Sequence, residues 1–338
     1  MTTSTIFHIG IDLGTSQSSI VTSTGKRLTS KTCVGYPKDV ISQKRLNKEY
    51  LLGEEALKNR LSLNLVWPLA KGVICDDQNS KEATQLVLQD LIDLTLPKLN
   101  KDDQVYAAIG VPALASVRDK KTILEITKDF IDKVLIVSEP FAVAYGNDRF
   151  DESLIVDIGA GTTDLCRMSG SVPTEDDQRS LTEAGNFLDQ EITDAILKKY
   201  PDVQLTPKII TSIKEKHGYV SDNSDPAIVT LTEKGQPGSY DITDILHKSC
   251  LKLSDAIGRA VQSLVADFDP DFQETLRNNI IVAGGGSRLI GIDKAIEKSL
   301  DNYGGGKATC VQDVEFCGAN GCLKMCQEMP EDYWDRIE

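Results

Sequence analysis

Two short stretches place acids and small residues in a pattern that packing does not readily explain. Asp12-Leu13-Gly14-Thr15-Ser16 ends an apolar run in an aspartate and then turns through small residues. Asp157-Ile158-Gly159-Ala160-Gly161-Thr162-Thr163-Asp164 repeats the pattern and closes on a second acid. A turn of this kind exposes backbone N–H groups in a concave nest that can hold phosphate, and glycine allows close approach. An aspartate at the strand end can hold a hydrated Mg²⁺, which takes few carboxylates and keeps its waters. A third stretch, Val282-Ala283-Gly284-Gly285-Gly286-Ser287-Arg288, ends a strand in three glycines, where backbone can approach a flat or charged ligand. Each stretch alone also reads as a plain tight turn.

The common nucleotide fingerprints do not fit. Gly-x-Gly-x-x-Gly nearly matches from Gly159, but its sixth place is Asp164 and a strand pattern follows where a helix is required. Gly304-Gly305-Gly306-Lys307 is followed by Ala308, so it is not a mononucleotide P-loop.

The elements that must position these turns alternate between strand and helix. Ile6 to Leu13 and Ser16 to Val21 read as a hairpin around Gly14-Thr15, with Phe7, Ile9, Ile11 and Leu13 on one face. Leu154 to Ile158 and Thr163 to Met168 read as a second one. Asp12 and Asp157 lie 145 residues apart, so the two copies predict two similar domains rather than a short-period solenoid. Helices are predicted over 81–96, Asp119 to Lys133 and 185–199, with strands at Val105 to Val111, Val134 to Val137 and Asn279 to Ala283. Leu246, Cys250, Leu253, Ile257, Val261, Leu264 and Phe268 space out one long core-facing helix from about Ile242. The polar stretch 221–241 reads as irregular strands or a surface excursion, and a last helix runs from about Gly318 to Met325.

Composition narrows the function classes. The 338 residues are 40% apolar and 26% charged, with 37 basic and 51 acidic side chains, a formal charge of −14. Such a chain is repelled by nucleic acid and by anionic membranes unless it hides a basic patch. The start, Met1 to Phe7, has no basic, apolar leader pattern, and the apolar stretch Val105 to Val117 is shorter than the roughly 20 residues of a membrane helix. The expectation is a soluble cytosolic protein with no direct nucleic-acid binding and no membrane insertion. The eight cysteines include no Cys-x-x-Cys pair and read as small buried thiols rather than metal ligands.

The three small-residue stretches, in this order, resemble the two phosphate loops and the adenosine loop of the actin, Hsp70 and sugar-kinase ATPase superfamily. Val137 to Gly146 and Gly318-Ala319-Asn320-Gly321 resemble its two connecting segments. Ile213-Lys214-Glu215-Lys216 with Tyr219-Val220, and Pro68 to Ile74, are similar to bacterial actins of the MreB kind. Gly35 to Ile41, Val137 to Phe141, Val156 to Asp164, Leu181 to Asn186 and Ala283 to Arg288 resemble the MamK family, the actin-like filament proteins of bacterial magnetosomes.

The resemblance implies an α/β, actin-like fold: two similar domains with mixed sheets flanked by helices, and a nucleotide in the cleft. It places the first domain over 1–150 with an insert near 33–72, the second over 151–317 with an insert near 190–250, and 318–338 as a helix returning to the first. It implies ATP/ADP and Mg²⁺ as cofactors. Asp12 and Asp157 would hold Mg²⁺ through water, and Gly14, Thr15, Ser16, Gly159, Gly161 and Thr162 would surround the β- and γ-phosphates. Glu139 would position or deprotonate the attacking water. Lys214 and Glu215 would contact the nucleoside, and Gly284, Gly285, Gly286 and Ser287 the adenine and α-phosphate. The implied activity is hydrolysis of ATP to ADP and phosphate, coupled to assembly and turnover of cytoplasmic filaments that align magnetosomes. The implied partners are further copies of the chain and magnetosome-associated adaptors.

One departure is chemical: Gln17 and serines stand where eukaryotic actin carries a lysine, leaving more charge neutralisation to Mg²⁺ and backbone N–H groups. Rival readings are a plasmid-segregating or MreB-like actin and a small-molecule kinase of the same superfamily. An Hsp70-type machine is disfavoured because the chain stops soon after Gly321.

Overall fold

The structure, a computed structural model, describes residues 5–221 and 225–336. Residues 1–4 of the start, 222–224 of the polar stretch and 337–338 of the tail lie outside the described residues. The chain divides into two compact units, one running to Arg149 and resuming at Glu315, the other Phe150–Val314.

The first unit begins with strands β1 (Ile6–Leu13), β2 (Gln17–Thr22) and β3 (Arg27–Lys31). A small layer follows: β4 (Val34–Pro37), α1 (Val40–Leu46), β5 (Leu51–Leu52), α2 (Gly53–Lys58) and β6 (Leu63–Val66), with the strands ordered β5-β4-β6. The two-residue strands β7 (Leu69–Ala70) and β8 (Val73–Ile74) lead into helix α3 (Gln78–Thr95). Then come β9 (Gln104–Val111), α4 (Val117–Thr127), β10 (Lys133–Ser138) and α5 (Glu139–Gly146). The main sheet is ordered β10-β9-β1-β2-β3, with β1, β9 and β10 parallel and β2 and β3 antiparallel.

The second unit repeats that plan. It contains β11 (Ser153–Ile158), β12 (Thr163–Met168), β13 (Gln178–Leu181), α6 (Gly185–Lys199), β14 (Val203–Gln204) and α7 (Pro207–His217). It continues through β15 (Ile228–Glu233), β16 (Gln236–Asp241), α8 (Thr243–Ala266), α9 (Gln273–Arg277), β17 (Ile280–Ala283), α10 (Ile292–Ser299) and β18 (Ala308–Cys310). Its main sheet is ordered β13-β12-β11-β17-β18, with the same parallel and antiparallel senses as the first. The chain then returns to the first unit as α11 (Cys317–Glu328) and α12 (Glu331–Trp334).

Burial explains the sequence pattern. Every residue of β11 is buried, as expected of a central strand with elements on both faces. Helix α8 buries Leu246, Cys250, Leu253, Ile257, Val261 and Leu264 along one face, while Phe268 falls just past its end. Helix α3 starts at Asp77, whose carboxylate accepts the Ser80 N–H at 2.9 Å, and stops ahead of Pro97. Among the described residues all eight cysteines are free, and six of them are buried. Among the same residues, no helix is long and apolar enough to cross a membrane.

Two sequence readings change. The helix expected to reach Lys133 ends at Thr127, because the backbone turns there and Asp132 is held to β9, accepting the Val105 N–H at 2.7 Å. The stretch read as irregular contains a regular hairpin, β15–β16, whose turn is Lys234-Gly235 with φ of 50° and 82°. Two consecutive positive φ values suit a two-residue hairpin, and Pro237 is tolerated because β16 is an edge strand. Helix α7, around Lys214, and the strands of the small sheet β4–β6 were not assigned from the sequence.

Candidate functional site

In the first unit the site grows from the carboxyl ends of parallel strands, where open α/β sheets characteristically place ligands. Asp12 pairs with Gly110 between β1 and β9, and Gly110 also pairs with Val137 between β9 and β10. Glu139 follows directly as the first residue of α5. Gly110 separates them: a Cβ there would lie 3.3 Å from the Glu139 Cγ and 3.6 Å from the Cys322 Sγ. Helix α11 closes the floor. A Cβ on Gly318 would come within 2.8 Å of Asp12 Oδ2, and the buried Cys322 thiol is pushed well above its usual value by burial and by the Asp12 and Glu139 carboxylates. Asp12 itself is pushed up to about 6 by burial. A site that penalises a lone negative charge in this way is suited to a cation beside it.

The turn after Asp12 is rigidly braced. A Cβ on Gly14 would collide with the Gln17 carbonyl, so glycine is required there. Thr32 is buried; its hydroxyl donates to the Gly14 carbonyl at 2.8 Å and its N–H to the Ser16 carbonyl at 3.1 Å. The Thr15 hydroxyl accepts the Gly72 N–H at 2.8 Å, tying the turn to the Lys71-Gly72 turn between β7 and β8. Sequence reasoning did not find this link, since Gly72 lies 57 residues away.

The second unit builds a similar turn on its own sheet. Gly159 stands to Thr162 as Gly14 stands to Gln17: its Cβ would meet the carbonyl three residues on, at 3.0 Å. Its N–H donates to that same Thr162 carbonyl at 2.9 Å. Asp157 is buried at the end of β11, beside Ala283 of β17. A side chain at Gly284 would strike the Asp157 Oδ1, and its φ of 72° is left-handed as well, so the aspartate and the glycine turn require each other. Gly286 is closed in by Ile158, whereas Gly285 faces open space. Ser287 is buried, with its hydroxyl donating to the Gly284 carbonyl at 2.7 Å.

The amino end of α6 grips the second turn. Gly185 donates to the Gly159 carbonyl at 3.0 Å and Asn186 to the Ala160 carbonyl at 2.8 Å. Lys214 of α7 reaches the same place: its Nζ donates to the Gly185 carbonyl at 2.9 Å and lies 2.9 Å from Asp189 Oδ1. Glu215, its neighbour, is exposed. The structure thus gathers Asp12, Gly14, Thr15, Ser16 and Glu139 in one unit. It gathers Asp157, Gly159, Gly161, Thr162, Lys214 and Gly284 to Ser287 in the other. Sequence reasoning did not single out Gly185, Asp189 and Thr211, which the structure gathers around Lys214.

The donors fit a hydrated Mg²⁺. Each turn presents one strand-end aspartate, and among the described residues no cluster of three or more His, Cys, Asp or Glu could cage a metal directly. The glycine-lined backbone beside each aspartate fits phosphate oxygens in the same way.

Comparison with known proteins agrees with this geometry. The MreB/Mbl protein family matches residues 6–332. The actin-like protein MamK of Magnetospirillum gryphiswaldense is 38% identical over 330 residues, covering 97% of this chain and 91% of that protein. A MamK double helical filament structure superposes with a TM-score of 0.93 at 36% identity, over 96% of this chain and 100% of that one. A non-polymerising MamK mutant bound to AMPPNP matches with a TM-score of 0.74 at 35% identity, over 96% and 100% of the two chains. Two sheets of one topology, each ending in the same aspartate turn, and this likeness along nearly the whole chain lead to one conclusion: the protein belongs to the MamK group of actin-like proteins, within the MreB/Mbl family.

Proposed function

We propose that this chain is an ATP-dependent, filament-forming cytoskeletal protein that hydrolyses ATP and whose filaments position magnetosomes in the cytoplasm. The observation that carries the reading is the repeated aspartate–glycine turn on two sheets of identical order, in a chain that superposes on a MamK filament subunit with a TM-score of 0.93. Phosphoryl transfer asks mainly for positioning and charge neutralisation, which backbone N–H groups and a few carboxylates can supply.

The residues take the following roles. Gly14, Thr15 and Ser16, with Gly159, Gly161 and Thr162, offer backbone N–H groups to the β- and γ-phosphates. Asp12 and Asp157 are the residues that would hold Mg²⁺. When bound, Mg²⁺ neutralises charge on the phosphate oxygens. Glu139, at the start of α5 and on the same sheet edge as Asp12, orients the attacking water and accepts its proton. Lys214 and Glu215 face the nucleoside, and Gly284 to Ser287 the adenine and α-phosphate; the open space at Gly285 supports that placement. ATP shifts the chain toward a filament-competent state by binding that state more tightly, and hydrolysis removes the preference. The partners are further copies of the chain and adaptors on the magnetosome.

The test is electron microscopy and high-speed pelleting of the purified protein with Mg-ATP, Mg-ADP and no nucleotide, alongside phosphate release. Filaments with Mg-ATP and turnover without an added acceptor are the expected result. Turnover only with an added small-molecule acceptor, and no pelleting, would replace this reading with a kinase.

A further inference from the structure

We infer that Asp189 is a positioning residue for the nucleoside end of the ligand, acting through Lys214; the inference rests on the nucleotide reading above. Asp189 lies one turn into α6 and Lys214 on α7, with side chains 22% and 16% exposed. The Lys214 Nζ sits 2.9 Å from Asp189 Oδ1 and donates to the Gly185 carbonyl at 2.9 Å. The second carboxylate oxygen, Oδ2, is fixed separately, accepting the Thr211 hydroxyl at 2.9 Å. Oδ1 is shielded from solvent yet lies outside hydrogen-bond geometry, so charge rather than a directed bond holds the ammonium there.

The consequence is geometric. A lysine is a flexible stem carrying a point charge, and holding it in one place costs rotamer entropy. Asp189 and the Gly185 carbonyl hold it before any ligand arrives. Gly185 is also the residue whose N–H grips the Gly159 carbonyl, so the ammonium is set at a fixed distance from the phosphate turn. The fit is close: a Cβ on Gly185 would lie 3.2 Å from Ala160 Cα, 3.2 Å from the Gly159 carbonyl oxygen and 3.3 Å from the Lys214 Nζ. An ammonium has three donors. The carbonyl takes one, and donor capacity remains for a ribose or base. Without the Asp189 charge, only the Gly185 carbonyl still holds the Lys214 ammonium in place.

The test uses the full-length chain below its assembly concentration and two probes, ATP and inorganic triphosphate. Asp189→Asn keeps the shape and removes the charge. It is expected to weaken ATP binding about tenfold while leaving triphosphate within about twofold, as for loss of one charge-assisted contact. Lys214→Met should cost the same, the double variant should cost no more, and Asp189→Glu should recover part of the loss. A purely structural role would weaken both probes together, and that result overturns the inference. So does unchanged ATP affinity in Asp189→Asn when wild type binds ATP, which leaves the nucleotide reading standing. A wild-type chain that binds neither probe overturns the nucleotide reading and the inference with it.

Discussion

Asp12 and Asp157 stand at equivalent places near the ends of β1 and β11 but in different surroundings. Asp12 is walled by Gly318 of α11, Asp157 by Gly284 after β17, and neither glycine can be enlarged without striking the carboxylate. Asp157→Ala should weaken ATP binding in the presence of Mg²⁺ more than in its absence, read by nucleotide titration in both conditions; a Mg²⁺ enhancement of affinity as large as in wild type would mean that Asp157 does not hold the metal. Glu139→Ala should leave nucleotide binding intact and slow hydrolysis by about 10²-fold or more, as for loss of a general base. Phosphate release from the purified variant checks this, and unchanged turnover would take Glu139 out of the mechanism. These acids were legible because each ends an apolar strand beside small residues. Asp189 was not, because an acid on a helix face looks like any solvated charge until α7 brings Lys214 against it.

At the scale of elements, two packing solutions are exacting. Helix α11 lies against α5 through Gly321, where a Cβ would strike the Ala142 carbonyl oxygen, and against β1 through Gly10. Backbone cannot yield there as a side chain would, so Gly321→Ala should destabilise by about 3 kcal/mol, the upper end for overpacking, and lower the melting temperature. In the second unit Arg167 of β12 is largely buried: it donates to the Leu264 carbonyl at 2.9 Å, pairs with Asp177 at 2.8 Å and stacks over Phe268. Burial raises the Asp177 carboxyl, but the Thr174 N–H and the Arg167 guanidinium outweigh it and hold it below the usual range. A depressed carboxyl stabilises the fold above its unfolded value and loses that contribution as pH falls through its folded value. The stability gap between wild type and Asp177→Asn should therefore be full at neutral pH and shrink below about pH 4. Chemical denaturation at several pH values reads it; a gap that widens in acid would contradict the assignment. The strand and helix periods made most elements legible. The β15–β16 hairpin was obscured because Pro237 and Gly238 look like a turn, while the turn itself is Lys234-Gly235.

At the scale of the whole molecule, the formal charge of −14 bears on assembly. Subunits of one sign repel, and the repulsion is screened over about 30 Å at 0.01 M salt but about 8 Å at 0.15 M. With Mg-ATP, the pelleted fraction should therefore rise as monovalent salt is raised across that range. A steady fall would mean that ion pairs between subunits outweigh their net repulsion.

The residues alone determined the duplication, the strand–turn–strand units and the acids that end them, because these depend on neighbours along the chain. They also carried a family resemblance dense enough to point to actin-like filament proteins. Only the tertiary structure decided what meets across long separations. Thr15 meets Gly72, Gly284 fits against Asp157, α11 returns to floor the first site, and Lys214 is clamped by Asp189. The physical reason is that such contacts are set by sheet order and helix packing, which no local period encodes.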